Sequence, residues 1–130
     1  MAVLEEFRVA FAARDFDRVL QFYAEDPRFR WIEDGEVRYT SKAQLAKVLV
    51  GFGASVRSLE LSFFDPVITP LAPGVAAVTT RFAQKLTDSS GAMQGFSGAM
   101  SMSVVHADSG WRFLVGQTSL LVPRPDAARR

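Results

Sequence analysis

Asp26, Tyr39 and Tyr23, with Trp31, Arg81 and Gln117, are the side chains whose types could do chemistry here, and what is missing narrows that chemistry first. The 130-residue chain has no cysteine and a single histidine, His106. A thiol nucleophile, a CxxC redox pair and a thiolate zinc site are therefore excluded. The carboxylates follow neither HExxH nor EF-hand spacing. Gly91, Gly95 and Gly98 lie inside or beside a strand pattern rather than between a strand and a helix, so no phosphate-cradling loop is present. Neither a metal nor a cofactor is expected. His106 lies at a strand end next to a turn; without an orienting partner it reads as an exposed turn histidine, not a base. What remains is modest acid–base work by a carboxylate or a phenol, with Asp26 and Tyr39 as the candidate catalytic residues. Tyr23, Trp31 and Tyr39 join an apolar body to a polar handle, as an amphipathic organic ligand requires.

Such groups need elements to hold them. Val3, Leu4, Phe7, Ala10 and Phe11 recur at three and four spacing, which predicts a helix over Val3 to Arg14. Asp15 is placed to cap a second helix with the stripe Phe16, Val19, Leu20 and Tyr23, ended by Pro27. Phe29 and Trp31 alternate with Arg28 and Arg30. Asp34-Gly35 then supplies the positive-φ pair of a tight hairpin, and Val37 and Tyr39 return. Ser41 with Gln44 forms a capping box for a third helix carrying Leu45, Val48, Leu49 and Phe52, closed by Gly51 and Gly53.

Beyond Gly53 the period changes from 3.6 to 2. Leu59, Leu61 and Phe63 alternate with Ser58, Glu60 and Ser62. Asp65-Pro66 and Pro70 to Gly74 predict a bend and a loop before a strand from Val75 to Leu86. Two long strands follow, Met93 to His106 and Trp111 to Val122, joined by a turn at Asp108 to Gly110. Pro123 to Arg130 carries no apolar pattern and reads as a frayed tail. Helices first and an antiparallel meander afterwards predict one α+β domain over 1–122, with helices gathered on one sheet face. Phe96, Met100, Met102 and Val104, and likewise Trp111, Phe113 and Val115, should face the helices, with Met93 beneath them as well. Strict alternation puts Gln117 on the Trp111 side. The opposite face is small and semi-polar, which suits sheet-to-sheet contact in a homodimer. Arg81 and Gln84 point to opposite faces of one strand; if the Arg81 side met a pocket, Arg81 would anchor an anionic substrate.

Composition sets the outer limits. Fifteen basic against 14 acidic residues leave a net charge of +1, short of the basic excess of a nucleic-acid binder. No window approaches the roughly 18 apolar residues of a membrane span, and a soluble cytoplasmic protein is expected. A chain of this size buries about two thirds of its unfolded surface and needs no covalent staple.

The order of elements resembles the nuclear transport factor 2-like superfamily, in particular its SnoaL-like and steroid delta-isomerase-like branches. The resemblance covers about residues 2 to 120. Ala13-Arg14-Asp15-Phe16-Asp17 is similar to the superfamily's turn between its first two helices, and Phe22-Tyr23-Ala24-Glu25-Asp26 to the end of its second. Gly110-Trp111-Arg112-Phe113, running on to Thr118-Ser119, resembles the start of its final strand. The resemblance implies a cone-shaped curved sheet wrapped around three N-terminal helices, a cystatin-like roll, with a pocket at the wide end and dimerisation through the outer sheet face. It also implies that Asp26, at a helix end, lies near the pocket mouth, with Tyr23, Trp31, Tyr39, Met100, Phe113, Gln117 and Arg81 as pocket candidates for a small-molecule ligand. Steroid-isomerase-like members use a carboxylate base with a tyrosine and a carboxylic acid as oxyanion donors. Counted along this chain, the base position falls at about Trp31, the tyrosine at about Phe7 and the acid near Met100 or Met102. A slip of one residue brings Arg30 or Ile32. None of these moves a proton, so that constellation is not expected. Where many relatives carry two histidines in the last strand, this chain has Val115 and Gln117. An association module without catalysis is the competing expectation.

Overall fold

The computed structural model describes residues 2–107 and 110–121. Helix α1 (Val3–Ala12) buries Val3, Leu4, Phe7 and Ala10, its apolar stripe. It stops short of Arg14 because that residue turns into the left-handed region, φ 60°. The Asp15 carboxylate then accepts a hydrogen bond from the Arg18 amide, capping α2 (Phe16–Gln21). This second helix ends well before Pro27. Phe22 to Ala24 leave it to bond the last strand instead: Phe113 N donates to Phe22 O and Ala24 N donates to Phe113 O, each at 2.8 Å. Tyr23 thus sits in a bridge beside Phe113 rather than on a helical stripe.

Strands β1 (Arg30–Glu33) and β2 (Glu36–Tyr39) meet at Asp34 and Gly35, both at positive φ as expected of that pair. Helix α3 (Lys42–Ser55) starts with Ser41 Oγ accepting from the Gln44 amide at 3.2 Å. The Gln44 side chain closes back on the Thr40 amide, one residue upstream of the reciprocal partner a capping box would use. The helix runs through Gly51 and Gly53 to Ser55; at Gly53 a Cβ would press on the Phe16 ring at 3.0 Å, so packing rather than termination requires that glycine.

Strand β3 (Val56–Ala72) is unbroken at Asp65-Pro66 and at Pro70, where a bend and a loop were expected. Both positions are bulges, marked by register shifts against β4 (Val75–Asp88). Proline is tolerated there because β3 is an edge strand with a free side. With β5 (Met93–Ala107) and β6 (Gly110–Leu120) the chain completes one curved six-stranded sheet of order β2-β1-β6-β5-β4-β3. All neighbours are antiparallel except β1 and β6, which run parallel, so the sheet is mixed. The tail expected over 123–130, Val122 and the middle of the turn before Gly110 lie outside the described residues.

The inner face carries Val78, Phe82, Met100, Met102, Val104 and Phe113 against the buried stripe of α1. Met93 is not beneath the helices; it is 76% exposed at the strand's start. One irregularity decides the far half of β6. Val104 pairs with Phe113 but Ser103 pairs with Val115, which leaves Leu114 as an extra residue. Side-chain parity reverses there. Gly116 and Thr118 turn inward, while Val115 and Gln117 turn outward. Among the described residues no helix is long and apolar enough to cross a membrane.

Candidate functional site

The cone holds a partly open cavity of about 150 Å³. Phe7 and Phe11 of α1 close one side. Tyr23, with Trp31 and Glu33 of β1, forms another, and Leu61, Phe63, Phe82, Gln84, Met100 and Thr118 of the remaining strands form the rest. Trp31 can lie across the sheet because position 116 is glycine. A Cβ there would run into the six-membered ring of the indole and come within 3.0 Å of Met102 Cβ. Tyr23 stands edge-on to Phe29, Trp31 and Phe113, with centroids 5.9, 5.4 and 5.4 Å away. Phe113 is fully buried beneath this aromatic layer and supports the wall without lining it.

Among the described residues, Glu33 is the one carboxylic acid in the lining. It lies two residues beyond Trp31 on the same side of β1, just past the reach of the counted base position. Its carboxylate takes no hydrogen bond or ion pair from the described residues. Burial pushes its carboxyl above the ordinary range; the Arg38 charge opposes this and the Asp34 charge adds to it. Burial also raises the Tyr23 phenol strongly, helped by the neighbouring charge of Glu33. Tyr39, opposite Trp31 in the β1–β2 ladder and 8% exposed, is raised by burial and by that same carboxylate. No fully buried side-chain oxygen or nitrogen among the described residues lacks a partner. The Tyr23 hydroxyl, which makes no hydrogen bond among the described residues, therefore reaches open space. The wall accordingly offers a carboxyl, a phenol, the Gln84 amide and the Thr118 hydroxyl to whatever enters, inside a ring of hydrocarbon.

Several sequence candidates stand elsewhere. Asp26 turns back on its own chain: it accepts from the Arg28 amide at 2.8 Å and from the Arg28 guanidinium at 2.9 and 3.0 Å. Those bonds hold its carboxyl down to about 2, and it is absent from the cavity wall. Arg81 lies on the outer face, paired with Asp65 at 2.7 Å and stacked over Phe64, so it cannot anchor an anion inside the cone. Gln84, its opposite-facing neighbour, takes the inward place. Gln117 lies outside too, 3.5 Å from Ser101 Oγ, because of the bulge at Leu114. Tyr39 is buried next to the cavity rather than on its wall. His106 is exposed, edge-on to Trp111. Glu33 could have been found in the sequence, since it shares the parity of Trp31 and precedes the Asp34-Gly35 turn. Gln84 was visible as the alternative to Arg81, but Thr118 was hidden by the bulge. Among the described residues no cluster of three metal-ligating side chains exists.

The outer face is built differently. Shallow depressions of about 310, 320 and 400 Å³ share a floor of small residues, Ala77, Thr79, Ala99, Ser101, Ser103 and Ser119. Exposed Phe64, Val67, Val115 and Leu120 stand on that face or at its margin.

A SnoaL-like domain family matches residues 1–123. No curated protein matches the chain in sequence. Solved structures share its fold. A nuclear transport factor 2-like superfamily protein from Salmonella enterica superposes with TM-score 0.77 at 15% identity, over 93% of this chain and 87% of that one. A ketosteroid isomerase-like protein from Erwinia carotovora gives 0.73 at 17%, over 94% and 93%. An uncharacterized protein with a cystatin-like fold from Caulobacter vibrioides gives 0.73 at 17%, over 98% and 89%.

Proposed function

This chain belongs to the SnoaL-like domain family, and on that premise we propose that it binds a small, ring-containing metabolite inside the cone, with Glu33 meeting the ligand's polar end. The observation that carries this reading is Glu33 itself: a half-buried carboxyl, without a partner among the described residues, at the wall of a largely aromatic cavity. Buried polar groups are satisfied in folded proteins, and one left open toward a cavity is satisfied by what fills the cavity. A carboxyl that burial raises above its ordinary range is a better proton acceptor than a solvated one, which suits isomerisation, cyclisation or dehydration of an apolar ring. Tyr23 is the adjacent hydrogen-bond donor, with a phenol raised too far to ionise near neutral pH. The shared fold of a ketosteroid isomerase-like protein supports a ligand-binding cone and not a particular reaction.

Thermal-shift screening with single-ring hydroxy and keto compounds tests the reading. Binders should raise the melting temperature of the wild-type chain and lose that effect in Leu61→Trp, which fills the cavity. A screen without binders, or binders indifferent to the filled variant, would place the function elsewhere.

A second reading, self-association through the outer face, is favoured by the small-residue floor of its depressions and by the apolar side chains beside it. Under it, Ser101→Arg shifts the sedimentation coefficient toward that of a monomer. An unchanged coefficient removes the outer face from the interface.

A further inference from the structure

The cavity wall has a one-sided charge. Among the described residues, six aromatic rings line it, those of Phe7, Phe11, Tyr23, Trp31, Phe63 and Phe82, together with one carboxyl, Glu33, and no lysine, arginine or histidine. From this we infer that the cavity selects a small organic cation, a protonated amine carried on a single ring. The inference rests on the pocket reading above and narrows its ligand class.

Size comes first. An apolar cavity of about 150 Å³ takes up benzene, so a volume of about 150 Å³ holds one ring with a short substituent. Charge comes second. An anion would find no cation on the wall and would meet the Glu33 carboxylate at short range in a poorly screened site. Arg81, which could balance an anion, lies on the outer face and is paired with Asp65. A neutral alcohol would satisfy Glu33 with one donor. An ammonium offers up to three donors and the opposite charge, and its bond to a carboxylate is roughly twice as strong as a neutral one. Aromatic walls add attraction for a cation and none of comparable size for an anion.

The groups around Glu33 are consistent with its serving as a counter-ion. Arg38 of β2 favours the ionised carboxylate without forming an ion pair with it. Asp34 lies in the adjoining turn, and Glu36 pairs with Glu33 across the hairpin. These acids add negative potential near the carboxylate. Tyr23 and Tyr39 face it from the end of α2 and from β2 and remain neutral donors. Pairing with an ammonium makes Glu33 a poorer proton acceptor, so its role toward such a ligand is recognition.

Benzylamine, benzyl alcohol and benzoate share one ring and nearly one size, and near neutral pH they are a cation, a neutral molecule and an anion. Their affinities for the full chain, read by calorimetry and by the change in tryptophan fluorescence at fixed ionic strength, test the inference. Benzylamine should bind at least about ten-fold more tightly than benzyl alcohol, and benzoate should not bind. Glu33→Gln, nearly isosteric, should bring amine and alcohol to within about two-fold of each other. In the wild type, lowering the pH through the Glu33 titration should weaken the amine and not the alcohol. Equal affinities, or a preference for the alcohol, would overturn the cation inference and leave the pocket reading standing. If none of the three binds, both fall.

Discussion

Substituting Gly116 by alanine tests how tightly the cavity wall is determined. The new Cβ would lie 2.8 Å from Trp31 Cη2, closer still to Cζ3, and 3.0 Å from Met102 Cβ. Ordinary contact begins near 3.4 Å or beyond, so the indole or the β6 backbone must move by roughly an ångström. Neither moves freely. Trp31 is 4% exposed, with the Tyr23 ring 5.4 Å and the Phe113 ring 6.3 Å away, and Gly116 is paired with Trp31 on one side and Met102 on the other. Overpacking of this kind destabilises by about 1–3 kcal/mol. For a domain of this size that corresponds to a melting temperature lower by about 4–12 °C. Trp31→Phe alone removes the colliding ring atoms but leaves a void, destabilising by about 1–2 kcal/mol. If the collision is the cause, Gly116→Ala with Trp31→Phe should be more stable than the sum of the single changes predicts, by at least about 1 kcal/mol. Chemical denaturation of the four proteins supplies the cycle. Strict additivity, or a Gly116→Ala protein as stable as wild type, would refute this account of the wall.

Three further outcomes follow from the same geometry. Gly98→Ala puts a Cβ against the Ser119 carbonyl, with Ser119 C at 2.9 Å, and should weaken the β5–β6 ladder enough to accelerate amide exchange at Leu120 and Leu121; unchanged exchange would contradict the close approach. Burial raises the Glu33 carboxyl above its ordinary value of 4.5, so its ionisation opposes folding, an effect absent below that value and growing as pH climbs through the folded-state pKa. Glu33→Gln should therefore melt above wild type at about pH 7.5 and level with it near pH 4, and an equal difference at both would show that burial is not the cause. Asp26 is held down to about 2 by Arg28, so what its charge contributes is present above its ordinary value of 3.8 and lost as pH falls through about 2. Its carboxyl carbon, followed by NMR, should titrate near 2 in the wild type and move up in Arg28→Ala; an unchanged midpoint would remove Arg28 as the cause.

What the amino-acid order determined by itself is whatever depends on near neighbours. The caps at Asp15 and Ser41, the Asp34-Gly35 turn and the alternation that sends Met100, Met102 and Val104 inward all follow from contacts within a few residues. So does the succession of helices and strands by which the chain resembled its family. Interactions between distant segments decided the rest. Phe22 and Ala24 gave up helix to bond Phe113, because an exposed strand edge offered them better partners than another helical turn. Leu114 bulged where β6 meets β5, and one extra residue moved Gln117 out of the cone and Thr118 into it. Alternation in a strand names two faces but not which one a helix covers. Arg81 and Gln84 could therefore be set apart from the sequence, and only the packing of α1 against the sheet placed Gln84 inside. Glu33 shows both limits: its parity with Trp31 was local, while its partial loss of water, with no partner among the described residues, exists only once α1, β3 and β4 pack around the cavity.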